Sequence, residues 1–268
     1  MTWNQTGAGS SASILGHADL GLLSQGQMRA NAEMTSALAA LPEYSNAPLP
    51  VIADADTGYG GPIMVARTVQ QYAQSGVAGL HIEDQVQTKR CGHLSGKEVV
   101  DRDVSRSRIQ TAVNARKQIG SDIVIIARTD AFQTDGYEEA IGRLQDAYSV
   151  GADVAFFEGL TSKEQARRIT KDLAPMPVLL NMVEAGATPS FSASEAKDAG
   201  FKLMIVPFVA IAPAYKAVKD EMEHLKRTGS TDYAKTMAPQ TLFQICGVDA
   251  SMEVDKQAGG KSFAAGID

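Results

Sequence analysis

The sequence predicts an α/β protein built on a parallel sheet, and two observations predict it. Short apolar segments rich in β-branched residues recur at intervals of about one βα unit, and amphipathic helical patterns fill the gaps between them. The strand segments are Pro50 to Ala53, Gly79 to Ile82, Ile123 to Ala127, Val154 to Phe157, Val178 to Leu180 and Leu203 to Pro207, with a weaker candidate in Thr2 to Gly7. Helical patterns cover Met64 to Ser75, Ser105 to Ile119, Tyr137 to Val150 and Ser162 to Leu173, where Ser162 and Gln165 form a capping-box signature. A further helix, Ile211 to Lys226, puts Ile211, Tyr215, Val218, Met222 and Leu225 on one stripe expected to pack on the sheet, and Gly229 stops it. Beyond Gly229 the chain turns polar, passes a short helical segment at Thr241 to Cys246, and finishes in a Gly-rich tail expected to dock on a neighbour.

A length of 268 residues, 44% hydrophobic and 21% charged, suits one α/β barrel or one large doubly wound domain. The net charge of −6 without a basic cluster argues against nucleic acid. The polar, small residues from Met1 to Ser11 do not read as a leader, and no apolar run approaches the roughly 20 residues that span a bilayer, so a soluble, cytoplasmic protein is expected. Two cysteines give no disulfide framework.

On a strand, residues i and i+2 face the same side, so such a pair at a C-terminal strand end projects into whatever that end encloses. Three successive strands end in these pairs: Asp54 with Asp56, His81 with Glu83, and Arg128 with Asp130; the next two end in Glu158 and Asn181. Parallel-sheet enzymes build their sites at these ends. Clustered carboxylates with few thiol or imidazole partners suit a hard cation, Mg2+ before Zn2+, with Mn2+ as a substitute. Arg128 is then expected to hold a substrate carboxylate bidentately. In Lys89-Arg90-Cys91-Gly92-His93 the cationic neighbours are expected to lower the thiol pKa of Cys91, as suits a proton donor or nucleophile. Cys246, in an apolar helix end, reads as a buried core thiol, and His17 and His224 carry no chemical role. The glycines of Thr57-Gly58-Tyr59-Gly60-Gly61-Pro62 lack the spacing of a dinucleotide or P-loop motif and read as a tight turn.

Taken together, Ala53-Asp54-Ala55-Asp56-Thr57-Gly58-Tyr59-Gly60, His81-Ile82-Glu83-Asp84-Gln85, the Lys89 to His93 loop and Ala127-Arg128-Thr129-Asp130-Ala131 closely resemble the isocitrate lyase and phosphoenolpyruvate mutase superfamily, in its lyase branch. The resemblance implies a TIM-type (β/α)8 barrel and a Mg2+-dependent lyase that breaks a C–C bond in a 2-hydroxy or 2-oxo dicarboxylate such as 2,3-dimethylmalate or 2-methylisocitrate. It implies metal binding by Asp54 directly and by Asp56, Glu83 and Asp19 through water, and marks Cys91, Glu83, Arg128 and His93 as catalytic. Thr6, Gly7, Ala8, Lys89, Arg90, Gly92, Arg128, Glu158, Asn181, Thr188 and Pro189 would contact substrate. Pro189 stands where oxaloacetate hydrolases, the alternative activity, are expected to carry serine. Relatives also have a βα unit before the Thr6-Gly7 turn that this chain is expected to lack, and a tyrosine at the position of Asn4; a repurposed or non-catalytic member is the further alternative. The expected organisation is a shortened barrel domain over 1–229 and a C-terminal helix and tail over 230–268, exchanged between subunits of a homodimer or homotetramer.

Overall fold

A computed structural model of the chain describes residues 2–41, 47–232 and 237–263. Seven strands, β1 (Trp3–Gln5), β2 (Val51–Asp54), β3 (Gly79–Glu83), β4 (Val124–Thr129), β5 (Val154–Phe157), β6 (Val178–Asn181) and β7 (Leu203–Ile205), form one sheet in that order, and every neighbouring pair is parallel. The weak candidate near the N-terminus is thus a strand, with Trp3 opposite Val51. Buried Gln5 ties it down, donating through Nε2 to Ser10 Oγ (3.3 Å) and Met28 O (3.4 Å).

Helices α1 (Gly7–Leu15), α2 (Gln25–Ala39), α3 (Pro62–Gln74), α4 (Arg102–Gln118), α5 (Phe132–Asp135), α6 (Tyr137–Ser149), α7 (Lys163–Asp172) and α8 (Ala193–Asp198) alternate with the strands. The first two and the short α5 and α8 add to the helical patterns above. At α7, Ser162 accepts from the Gln165 N–H, but the Gln165 side chain accepts from Thr161 N rather than Ser162 N, so the box is half formed.

Alternation along the strands sorts their side chains into two separate cores. Ala53, Leu80, Ile82, Ile125, Ala127, Phe157 and Leu180 point outward and join the helices. Ile52, Ile126, Val154, Phe156, Leu179 and Ile205 point the other way and form an inner cluster of their own. That cluster brings β2 against β7, five positions away in the sheet, which requires the sheet to curl. The result is a nearly closed TIM-type barrel with β1 and β7 at its ends and helices outside.

The chain divides into two compact units, Met1–Phe208 and Val209–Asp268. The division falls ahead of α9 (Ile211–Thr228) rather than at residue 229. The second unit also holds α10 (Pro239–Ile245) and α11 (Val248–Gln257), the latter not foreseen; tail residues 264–268 lie outside the described residues. Gly229 ends α9 in the left-handed conformation, as its position implies. The α9 stripe is not buried, however: Tyr215, Val218 and Met222 are 68%, 64% and 58% exposed. Cys246 is likewise exposed rather than core, beside the exposed Leu242, Phe243 and Ile245. No helix among the described residues is long and apolar enough to cross a membrane.

Candidate active site

The inward positions that end the strands converge at the C-terminal mouth of the barrel, as the i and i+2 pairing requires. Asp54 closes β2. Its Oδ2 accepts the Gly7 N–H (2.8 Å), its Oδ1 accepts the Asp56 N–H (2.9 Å), and Oδ1 lies 3.4 Å from His81 Nδ1. Position 7 must be glycine, because a Cβ there would sit 2.7 Å from Asp54 Oδ2. Tyr72, on α3, donates to Asp54 O (2.9 Å) and fixes the strand end from outside. Burial raises the Asp54 carboxyl pKa, but positive charge on His81, Lys89 and Arg128 and the Asp56 N–H outweigh it and bring it down to about 2. His81 itself is pushed below its ordinary value by burial, so at neutral pH the lysine, the arginine and the amide carry that effect.

The buried Lys89 ammonium lies 2.6 Å from both Asp19 Oδ1 and Asp56 Oδ1. Burial opposes its charge, yet Asp56, Glu83, Asp54 and Asp19 hold its pKa well above the ordinary value. Asp56 is pushed up to about 7 by burial, with Asp54 and Asp19 adding repulsion and Lys89 opposing it. Glu83 is raised well above normal, again by burial first, with Asp130 and Asp54 adding and Arg128 and Lys89 opposing. Among the described residues no three His, Cys, Asp or Glu side chains are gathered closely enough to hold a metal by direct bonds. The Lys89 ammonium bridges Asp19 and Asp56, two of the carboxylates expected to reach the metal through water.

Arg128, on β4, stacks over Phe156 at 5.1 Å, and one fork of its guanidinium is committed: Nε donates to Asp130 Oδ2 (2.9 Å) and Nη2 to Asp130 Oδ1 (3.0 Å). Nη1 lies 3.3 Å from Glu83 Oε2. The expected bidentate grip therefore has only the end-on Nη1/Nη2 edge to work with. Beside it, Asn181 Nδ2 donates to Glu158 Oε2 (3.1 Å), while Glu158 Oε1 and Asn181 Oδ1 are buried without a hydrogen-bond partner.

The loop after β3 covers this mouth. Its base is held by the Gln85–Val99 bridge and by Val86 N donating to Glu98 O (3.0 Å). Gln85 then clamps the backbone of Arg90 from both sides, through Oε1 to Arg90 N (3.1 Å) and Nε2 to Arg90 O (2.9 Å), and Cys91 N donates to Asp19 O (2.9 Å). Gly92 approaches so closely that a Cβ would lie 2.7 Å from Arg128 Nη2 and 2.8 Å from Glu158 Cδ. Contrary to the expectation from its cationic neighbours, the Cys91 thiol pKa is raised: burial dominates, Asp19 adds to it, and the His93 amide, Arg128 and Lys89 only partly oppose it. Burial is the physical reason, and the Lys89 ammonium, paired to Asp19 and Asp56, offsets only part of it. A thiol kept protonated at neutral pH suits a proton donor, not a nucleophile.

These parts form an open cleft lined by Asn4, Thr6, Gly7, Ala8, Asp19, Asp54, His81, Cys91, Gly92, His93, Arg128, Phe156, Glu158, Asn181, Ile205, Pro207 and Phe208. Most of the expected residues meet there. Lys89, Asp56 and Glu83 stand behind the wall rather than in it, and Arg90 turns outward to Ser95 O (3.1 Å). Thr188 and Pro189 do not line the cleft. Phe156 and the apolar wall of Ile205, Pro207 and Phe208 were not foreseen, although Phe156 stands two residues before Glu158 and so shares its face.

The family model described as phosphoenolpyruvate phosphomutase matches residues 4–226. A 2,3-dimethylmalate lyase of Eubacterium barkeri is 40% identical over 228 residues, 84% of this chain and 74% of that protein. Among solved structures, a 2,3-dimethylmalate lyase described as a PEP mutase/isocitrate lyase superfamily member is 59% identical with TM-score 0.94, covering 99% of this chain and 86% of that one. An oxaloacetate acetylhydrolase bound to 3,3-difluorooxalacetate is 50% identical with TM-score 0.92, over 97% and 86%. On these matches the chain belongs to the phosphoenolpyruvate phosphomutase family, in the PEP mutase/isocitrate lyase superfamily.

Proposed function

We propose that the protein is a Mg2+-dependent carbon–carbon lyase that cleaves a hydroxy di- or tricarboxylate, 2,3-dimethylmalate or 2-methylisocitrate, to pyruvate and a second carboxylate. The observation that carries this reading is the Cys91 thiol held in the same cleft as Asp54 and the Nη1/Nη2 edge of Arg128. The identities to 2,3-dimethylmalate lyases support the substrate class. The residues fit the cation. The donors are hard carboxylate oxygens, Asp54 and Asp19 reach the cleft, and Asp56 and Glu83 lie behind them, a set suited to one direct ligand and several water-mediated ones. When bound, the cation would polarise the substrate oxygen and stabilise charge there.

The chain's own residues do the rest. Arg128, with Asn181 and Glu158 beside it, binds the carboxylate of the leaving half and holds it in plane. The hydroxyl passes its proton to a carboxylate lining the cleft, the C2–C3 bond breaks to leave a 2-oxo acid, and its electron pair passes to C3 as an enolate of the neighbouring carboxylate. Cys91 delivers its proton to C3, and Phe156 with the Ile205–Pro207–Phe208 wall keeps water away from that carbon. Purified protein with Mg2+ is expected to release pyruvate from 2,3-dimethylmalate or 2-methylisocitrate; folded protein that turns over neither overturns the reading. Oxalate release from oxaloacetate instead would mark the hydrolase activity named for the 50%-identical structure.

Cation binding carries a proton signature. Asp56, with its pKa at about 7, is protonated below that pH and must give up its proton to join the set. The apparent Kd for Mg2+, measured by calorimetry, is expected to rise by up to about tenfold per pH unit as pH falls below 7 and to level off above about 8.

Asn4 bears on substrate choice. It lines the cleft with both carboxamide atoms buried and unpartnered, a cost of about 1–3 kcal/mol for each such group unless a ligand satisfies it. Asn4→Leu is expected to raise the melting temperature and to raise KM for the preferred acid about tenfold. An unchanged KM would show that the carboxamide does not meet substrate.

The subunits are proposed to form a homodimer or homotetramer through the C-terminal helices. Tyr215, Val218 and Met222 on α9 and Leu242, Phe243 and Ile245 on α10, all exposed, support this. Light scattering on the full chain is expected to give a multiple of 28.4 kDa.

A further inference from the structure

Lys97 has no place in the chemistry above, yet it is the side chain that joins the two halves of the site. It follows the loop tip by a few residues, and its side chain is 1% exposed. Its ammonium donates to Gly92 O (2.9 Å) and to Asp130 Oδ1 (2.6 Å), a carboxylate that is itself 0% exposed. Asp130 Oδ1 also accepts Arg128 Nη2, and Asp130 Oδ2 accepts Arg128 Nε. One carboxylate therefore receives the arginine fork on one side and the lysine on the other.

Asp130 cannot drift to follow either of them. Its N–H donates to Asp84 Oδ1 (2.9 Å), and Asp84 Oδ2 is held by Thr129 Oγ1 (2.6 Å) and by Arg143 Nη1 (3.2 Å) from α6. A rigid chain of charged bonds thus runs from α6 through the end of β4 to Lys97, and Lys97 passes it to the backbone carbonyl next to Cys91. Other attachments of the loop, Gln85 to Arg90 and Cys91 N to Asp19 O, reach β3 and the segment before α2. Lys97 is what refers the tip to the arginine. Burying a lysine this completely costs free energy that its two hydrogen bonds offset only while both partners stay in place.

We infer that Lys97 is a positioning residue that latches the Cys91-Gly92 tip over the cleft and registers it to Arg128, so that proton donor and carboxylate grip move together. The consequence for catalysis rests on the lyase reading; the latch itself does not.

The two thiols make the latch measurable without substrate. Cys246, at the end of α10 and outside the latch, serves as an internal reference whatever its own reactivity, whereas Cys91 is partly covered. In Lys97→Met, the second-order rate of Cys91 with an aromatic disulfide reagent is expected to rise about tenfold or more, the factor that losing a charged hydrogen bond allows. The Cys246 rate should not change. Lys97→Arg, which keeps charge and donors, is expected to restore most of the protection. With an active substrate, Lys97→Met should lower kcat and raise KM together, since both cleft walls lose register, while a merely destabilised fold would leave both unchanged at temperatures where it is folded. A Cys91 rate within twofold of the parent in folded Lys97→Met overturns the latch. If that variant does not fold, Lys97→Gln, which retains one donor for Gly92 O, is read by the same rates. A parent protein that cleaves none of the acids would end the lyase reading and leave the thiol result standing.

Discussion

Replacing Cys91 by serine is expected to lower kcat about 10²- to 10⁴-fold, the range associated with one positioned general acid, while binding of oxalate and Mg2+ changes little. The thiol sits at the cleft rim with its backbone fixed by Asp19 O, so serine keeps the loop geometry and the hydrogen bond from its own N–H. What it loses is acidity, because an alcohol gives up a proton far less readily than even a thiol whose pKa burial has raised. Steady-state kinetics on the preferred acid measure the loss, and calorimetry with oxalate measures what is retained. Carbon–carbon cleavage precedes protonation, so deuterium from solvent should still enter the carboxylate product, more slowly. A serine variant with kcat within a factor of ten of the parent would remove Cys91 from the chemistry.

Asp54→Asn is expected to weaken Mg2+ or Mn2+ binding at least about 100-fold, beyond the 10- to 100-fold typical of losing an outer-sphere partner, and to abolish turnover. Asn is nearly isosteric, but Asp54 uses both oxygens to accept N–H groups, Gly7 N on one and Asp56 N on the other. A carboxamide must turn its NH2 towards one of these donors. The fold is therefore expected to lose about 1–3 kcal/mol as well. The acid limb of the stability curve gives an independent check. With its pKa depressed to about 2, Asp54 contributes stability that is present above about pH 4 and lost as pH falls towards 2. The Asn variant should lack that dependence in this window. Parent-like metal affinity in the variant would remove Asp54 as a ligand.

Much of this site is legible in the chain because strand alternation is a two-residue code. Asp54 and Asp56, His81 and Glu83, Arg128 and Asp130 share faces for that reason alone, and Glu158 and Asn181 follow on the next strands. The code does not say which charge neutralises which. Lys89 reads as a substrate contact beside Cys91, but the fold delivers its ammonium to Asp19 and Asp56, and its pull on the thiol is outweighed by burial. Arg128 reads as a free fork until Asp130 is seen to take one side of it. Lys97 carries no sequence signal at all, since its partners lie on a loop carbonyl and a strand end that only the fold brings together. The α9 stripe shows the limit from the other direction: the period gives an apolar face but not what covers it.

Asp56 holds its carboxylate in place from a backbone with φ of 44°, in the left-handed region that asparagine and glycine adopt most easily. Burial also opposes its charge and pushes its pKa up to about 7. Conformation and desolvation thus both favour Asn or Gly at this position, and only the chemistry favours Asp. In a library randomised there, selection for heat resistance alone should drive the population to asparagine or glycine, and selection for turnover should drive it back, so this codon separates what the fold prefers from what the enzyme must keep.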